Sequence, residues 1–186
     1  MFLSNRFIFS IKKCKSFKNG FTVIEFLIVI TIVAILSGIM IINFRSGEQA
    51  NKLQRSAQQI IQGMREAQNM ALSAVEYEGQ VYNYYGAHFN RQSMSNFFYI
   101  YVNSNAGYIS GSEIKTITLE NGIIVSAVST GAQLDVAFTP PHAFVEFNPP
   151  VDDATITIKQ ENGSCPQDCR YIKINNKGWM TISQTP

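Results

Sequence analysis

From Phe26 to Phe44 the chain reads FLIVITIVAILSGIMIINF, nineteen residues without a charge. At ~1.5 Å rise per residue a helix of that length spans about 28 Å, close to the ~30 Å hydrocarbon thickness of a bilayer. With Phe21 to Glu25 added the span reaches about 36 Å, enough to cross with some tilt. Beyond it the pattern changes. Leu53, Ala57, Ile60, Met64, Ala67, Ala71 and Ala74 recur every three or four residues among Gln, Arg, Glu and Asn. That spacing predicts a helix with a single apolar seam. No proline falls between Phe21 and Val75 to break it, and Ser37-Gly38 and Ser46-Gly47 are the points where it could bend. The small alanines suit close approach to a sheet. With only about three heptads, the seam reads as a helix packed on its own domain rather than a coiled coil.

After Tyr77 the texture becomes that of strands. Gln80–Phe89, Phe97–Val102, Glu113–Leu119, Ile123–Val128, Leu134–Phe138, Ala143–Phe147 and Ala154–Lys159 are rich in Val, Ile, Thr, Phe and Tyr. Asn121-Gly122 between two apolar runs predicts a hairpin turn. Tyr171-Ile172-Lys173-Ile174 alternates, turns at Asn175–Gly178 and continues as Trp179–Ile182, a second hairpin. Pro140-Pro141 and Pro149-Pro150 mark loops, because proline cannot donate to a central ladder. The aromatic set Tyr82, Tyr84, Tyr85, Phe97, Phe98, Tyr99 and Tyr101 reads as core and strand-face packing. No repeat of fixed period and no low-complexity linker is present, so the expectation is α+β: one long N-terminal helix followed by an antiparallel sheet domain.

Charge changes this picture at the N-terminus. Five of the fifteen Lys and Arg (Arg6, Lys12, Lys13, Lys15 and Lys18) lie in residues 1–20, where there is no acid. The remaining ten face thirteen Asp and Glu, a formal −3, so the basic isoelectric point belongs to the leader. The positive-inside rule keeps that end in the cytoplasm and exports everything beyond Phe44. A cleaved secretory signal would have a shorter apolar region and a small-x-small site, and Ser46–Ala50 is a poor one. A plain single-pass anchor explains length and charge but leaves Glu25 unexplained. A carboxylate within a span costs roughly 2.5–3.5 kcal/mol at its centre, so something must compensate.

Gly20-Phe21-Thr22-Val23-Ile24-Glu25, followed by the apolar stretch, resembles the class III signal of type IV pilins and pseudopilins. The resemblance implies cleavage by a prepilin peptidase between Gly20 and Phe21, with N-methylation of the new terminus at Phe21. It implies an assembly role for Glu25, whose carboxylate would meet the Phe21 ammonium of a neighbouring subunit. Opposite charges at one depth in low dielectric attract, whereas either alone is costly. The expected organisation is a leader at 1–20, a transmembrane half-helix at 21–44, an amphipathic half at 45–76 and an exported domain at 77–186. That domain resembles GspH/FimT-type minor pseudopilins in the order of Met64–Ala71, Tyr85–Phe89, Phe98–Val102, Leu119–Ile123, Val136–Pro141 and Tyr171–Asn175 with Gly178. Such a subunit would sit in the bacterial inner membrane and join a filament for protein secretion. A type IV pilus, a DNA-uptake filament or a plain membrane-anchored binding domain are the alternatives. The implied partners are prepilin peptidase, other pilin subunits, membrane lipid and an inner-membrane assembly platform with its ATPase.

Of three cysteines, Cys14 would leave with the leader. Cys165 and Cys169, in an exported domain, are expected to pair. A zinc site is the alternative, but two thiols supply half a ligand set with no Cys or His nearby; free thiols are the remaining one. No cofactor motif is found, and His88 and His142 stand apart without a Ser or Cys motif. Asp152-Asp153 after two prolines reads as a solvated turn, so catalysis is not expected. A DNA-binding surface would use Lys159, Arg170, Lys173 and Lys177 with Tyr171 and Trp179 as stacking partners. Glu161 and Asp168 dilute that patch, and nucleic acid is not an expected partner.

Overall fold

The apolar seam from Leu53 to Ala71 is where the architecture starts, because a helix with one apolar stripe must bury it against another element. In the computed structural model, residues 22–91 and 95–185 are described, without side chains for 39–46. The leader and the Gly20–Phe21 bond therefore lie outside the described residues. One helix, α1, runs Val23–Leu72, and the chain divides into two units, Met1–Asn43 and Phe44–Pro186.

In the first unit every large apolar side chain described is exposed, from Val23 to Leu36; Val29, the most covered, is still 49 % exposed. The helix is apolar all round, so no single face can be assigned to a core. Thr31 Oγ1 donates to the Leu27 carbonyl at 2.7 Å, which masks its hydroxyl within the helix. Among the described residues no helix is long and apolar enough to cross a membrane. The predicted run to Phe44 ends in residues 39–46, whose side chains are not described.

In the second unit Leu53, Ala57, Ile60, Met64, Ala67 and Ala71 are all essentially buried. They pack under two antiparallel sheets. One has five strands in the order β3-β2-β1-β5-β6, from β1 (Tyr84–Asn90), β2 (Phe97–Asn103), β3 (Glu113–Thr118), β5 (Gln133–Thr139) and β6 (Phe144–Asn148). The other runs β4-β7-β8-β9, from β4 (Ile123–Val128), β7 (Asp153–Gln160), β8 (Cys169–Asn175) and β9 (Met180–Ser183). Gly63 marks the closest approach: a Cβ there would stand 2.7 Å from the Phe98 ring and 2.8 Å from Ile117. The helix can lie against β2 and β3 only because that residue has no side chain.

Four expectations need correction. Asn121-Gly122 does turn the chain, with Gly122 at φ +82°, but it makes no hairpin. β3 pairs with β2 and β4 with β7, so this turn carries the chain from one sheet to the other. Leu119 and Ile123 on either side are both buried in the core, and one flat hairpin would have exposed one of them. The first strand starts at Tyr84 rather than Gln80, because Tyr77 and Gln80 close a tight loop in which Glu78 and Gly79 both have positive φ. β6 starts one residue late, since Ala143 is at φ +50° in the preceding turn.

The helix stops at Leu72, short of residue 76 and of Ala74. Ala74 sits at φ +43°, its N–H bonding the Ala71 carbonyl at 3.1 Å, while Val75 N–H reaches Met70 O at 3.1 Å. These are the two bonds of a Schellman cap, with alanine in the left-handed position that glycine usually takes. Tyr85, fully buried, donates its hydroxyl to the Val75 carbonyl and ties the cap to β1.

Candidate functional site

At the start of α1, Thr22 and Glu25 satisfy one another. Glu25 Oε2 accepts from Thr22 N–H and from Thr22 Oγ1, both at 2.9 Å, and Glu25 N–H donates to Thr22 Oγ1 at 3.3 Å. This is a capping box: two backbone donors that the first helical turn leaves orphaned are closed by side chains. The carboxylate is thereby turned back toward the N-terminal end of the helix, with its macrodipole's positive pole. Treating Glu25 as a carboxylate without a partner in its own chain missed Thr22. A threonine three residues before a glutamate, ahead of an apolar run, is the signal that would have found it.

A second polar constellation lies on the outward face of the five-stranded sheet. Alternation sends Tyr85, Ala87 and Phe89 into the core, and Gly86 and His88 to the other side. Register aligns Tyr99, His88, Asp135 and Asn148 in one row across β2, β1, β5 and β6. His88 Nδ1 donates to Asp135 Oδ1 at 2.5 Å, and both residues are buried. Asp135 Oδ2 accepts from Asn148 Nδ2 at 3.1 Å and from Tyr108 N–H at 3.0 Å. The segment 104–112 thus folds over the row, with the Tyr108 ring stacked on His88 at 4.0 Å. Two glycines admit it: a Cβ at Gly107 would meet Asn148 Nδ2 at 2.5 Å, and one at Gly86 would meet the Tyr101 ring at 2.6 Å.

Tyr108 donates its hydroxyl to Glu113. Burial first, then that bond and the charge of Glu113, push the tyrosine up to about 12. The same hydrogen bond holds Glu113 below the usual carboxylate range, helped by the Gly111 amide and by His88. Burial, then the charge of Asp135, drive Tyr101 well above an ordinary phenol. A His–Asp pair is half of a familiar catalytic arrangement, but its lone pairs here hold the segment down. Among the described residues no Ser, Thr or Cys side chain hydrogen-bonds His88. The arrangement fixes a loop, and among the described residues no nucleophile is hydrogen-bonded to it.

The remaining predicted residues lie elsewhere in the domain. Cys165 and Cys169 are joined as a disulfide with Cα atoms 5.2 Å apart, closing a short loop just before and into β8. No cluster of three or more metal-ligating side chains occurs among the described residues. His142 is exposed beside Phe144, remote from the His88 row in chain and environment. Asp152 and Asp153 are both exposed at the start of β7. Of the four cations weighed for DNA, Arg170 is only 9 % exposed and donates to the Cys169 carbonyl at 2.7 Å. It pairs with Ile158 while Lys159 pairs with Cys169, so the two point to opposite faces. Tyr171 is buried as well, and Trp179 stands exposed. Lys159, Tyr171 and Lys173 share one face of the sheet, and Arg170 lies on the other.

Comparison with known proteins bears on the two ends of the chain separately. Residues 15–41 match the prokaryotic N-terminal methylation motif. The type IV minor pilin FimU of Pseudomonas aeruginosa, in one crystal form, superposes with a TM-score of 0.51 at 15 % identity. That match covers 72 % of this chain and 90 % of the other. A second crystal form of the same protein gives 0.47 at 16 % identity, over 70 % and 92 %. A comparison with the curated proteins finds no match. The chain thus carries the N-terminal methylation motif over residues 15–41 and, in a helix packed on antiparallel strands, a fold like that of the minor pilin.

Proposed function

We propose that this chain is a minor, non-catalytic subunit of a type IV-like filament, made as a precursor and anchored in the inner membrane. Prepilin peptidase cuts between Gly20 and Phe21 and methylates the Phe21 amine. Residues 21–44 then hold the subunit in the bilayer, and 77–186 form its exported domain. The methylation motif carries this reading, with Glu25 inside it at the head of a helix apolar on every side. An all-apolar surface of that length must be covered by lipid or by other subunits.

The capping box gives Glu25 two states. In the isolated subunit its carboxylate closes onto Thr22 of its own chain. In a filament it faces the Phe21 ammonium of a neighbour, an ion pair worth little in water and much more in low dielectric. Assembly exchanges an internal cap for an intermolecular pair, which makes Glu25 a registration device. A filament serving protein secretion is the reading we favour over a surface pilus or a DNA-uptake filament. Deleting the gene separates these by which is lost: secreted proteins, surface pili or transformation.

The first test is the intact mass and N-terminal peptide of the membrane-bound protein, from cells with and without prepilin peptidase. The expected terminus is N-methyl-Phe21 in the first and Met1 in the second. An uncut chain in both would sink the proposal. Glu25→Gln should be processed normally yet fail to co-purify with other filament subunits.

A further inference from the structure

A groove of about 700 Å³ opens on the outward side of the four-stranded sheet, beside the disulfide loop. Lys159 and Ile124 stand opposite one another in the β4–β7 register, so both side chains face into it. Arg91, just past β1, lines the groove too, with Ser126, Ala132 and Ser164. Ile124 is 6 % exposed and forms a covered apolar floor. Ser126 donates its hydroxyl to the Thr157 carbonyl at 3.2 Å, and the Ser164 amide is tied to Asp168 at 3.1 Å. The walls are therefore fixed by bonds of their own.

Beyond the leader the chain is formally −3, yet two cations meet at this groove. Among the described residues neither Arg91 nor Lys159 is ion-paired, and no Asp or Glu lines the groove. Two cations lining one concave surface raise the positive potential there. An oxyanion between them would accept charge-assisted hydrogen bonds from both, with the arginine fork suited to two oxygens at once. The volume lies within the range of roughly 300–1,000 Å³ that holds small organic ligands, more than a bare ion fills. The apolar floor fits the body that carries the charged group.

We propose that this groove is an oxyanion-binding site, taking a phosphate or carboxylate borne on a partly apolar body. Two sources carry that chemistry: a free small molecule, or an acidic side chain of another protein. The test uses the full chain, isotope-labelled in detergent micelles, titrated with inorganic phosphate in one arm. The other arm uses a short peptide of alternating Glu and Leu. Saturable shifts at the amides of Ser126, Gly131 and Ser164 are expected, weakened tenfold or more by Arg91→Gln and by Lys159→Gln and kept by Lys159→Arg. Phosphate acting alone identifies a free oxyanion as the source, and the peptide acting alone identifies a protein segment. Shifts that do not saturate, that lie away from the groove, or that persist in both glutamine variants overturn the proposal.

Discussion

The two described stretches of α1 use one backbone for opposite purposes. From Phe26 to Leu36 the helix is apolar all round but for Thr31, and nothing among the described residues covers it. From Leu53 to Ala71 it is apolar along one stripe, and the chain's own sheets cover that stripe almost completely. A stripe means the partner is internal; an uninterrupted apolar surface means the partner lies outside the molecule. On the proposed function, stability of the domain and competence for assembly are written into different turns of one helix, and substitutions should separate them.

The largest effect should come from emptying the stripe. Met64→Ala, at a fully buried position, should cost about 2–5 kcal/mol of domain stability. Ile30→Ala, half exposed, should change the stability of the detergent-solubilised subunit, read from its denaturant midpoint, by no more than about 0.5 kcal/mol. Equal losses at the two sites would erase the distinction. Filling is the next contrast. Gly63→Val drives a side chain into Phe98 and Ile117 and should cost about 1–3 kcal/mol. At Gly38 a Cβ meets nothing within 4 Å, so Gly38→Ala should leave domain stability where it is.

Much of this contrast was legible in the sequence, since periodicity reports which faces are apolar. All but Ala74 of the predicted seam positions are buried, and most strand limits fall within a residue or two. What could not be read is whatever depends on which strands become neighbours. The His88–Asp135 pair joins residues 47 apart, and it exists because β5 inserts beside β1 rather than beside β4. Asn121-Gly122 has hairpin chemistry, yet the burial of Leu119 and Ile123 on two sheets overrides it. The Thr22–Glu25 cap, by contrast, is local and was available from spacing alone.

Acid and base sensitivity is expected in the sheet domain. Glu113 has a lowered folded value, so its contribution is present above the unfolded range, about 4.3. That contribution is lost as pH falls through the lower folded value. Tyr108 is raised, so its contribution holds below about 10 and fades as pH rises through about 12. Tyrosinate absorbance should show Tyr108 and Tyr101 ionising last. Glu113→Gln should remove the acid-side step in hydrogen exchange of residues 104–112, and a step that survives it would assign the sensitivity to another carboxylate.

The smallest effect is expected where the covered stripe ends. Ala74 carries the left-handed turn of the Schellman cap at φ +43°, a conformation that costs an L-residue roughly 1–2 kcal/mol. Glycine would relieve that strain but bring more backbone freedom to the unfolded chain, roughly 0.5–1 kcal/mol against alanine. The two terms oppose, and the strain is the larger. Ala74→Gly should therefore raise domain stability by about 0.5 kcal/mol, read as a higher denaturant midpoint with unchanged slope. The cap is anchored by Tyr85 through the Val75 carbonyl, so Tyr85→Phe should lower the midpoint and leave the Ala74→Gly gain in place. A gain that vanished with the tyrosine would mean that β1, rather than the backbone bonds to Ala71 and Met70, sets where the helix stops.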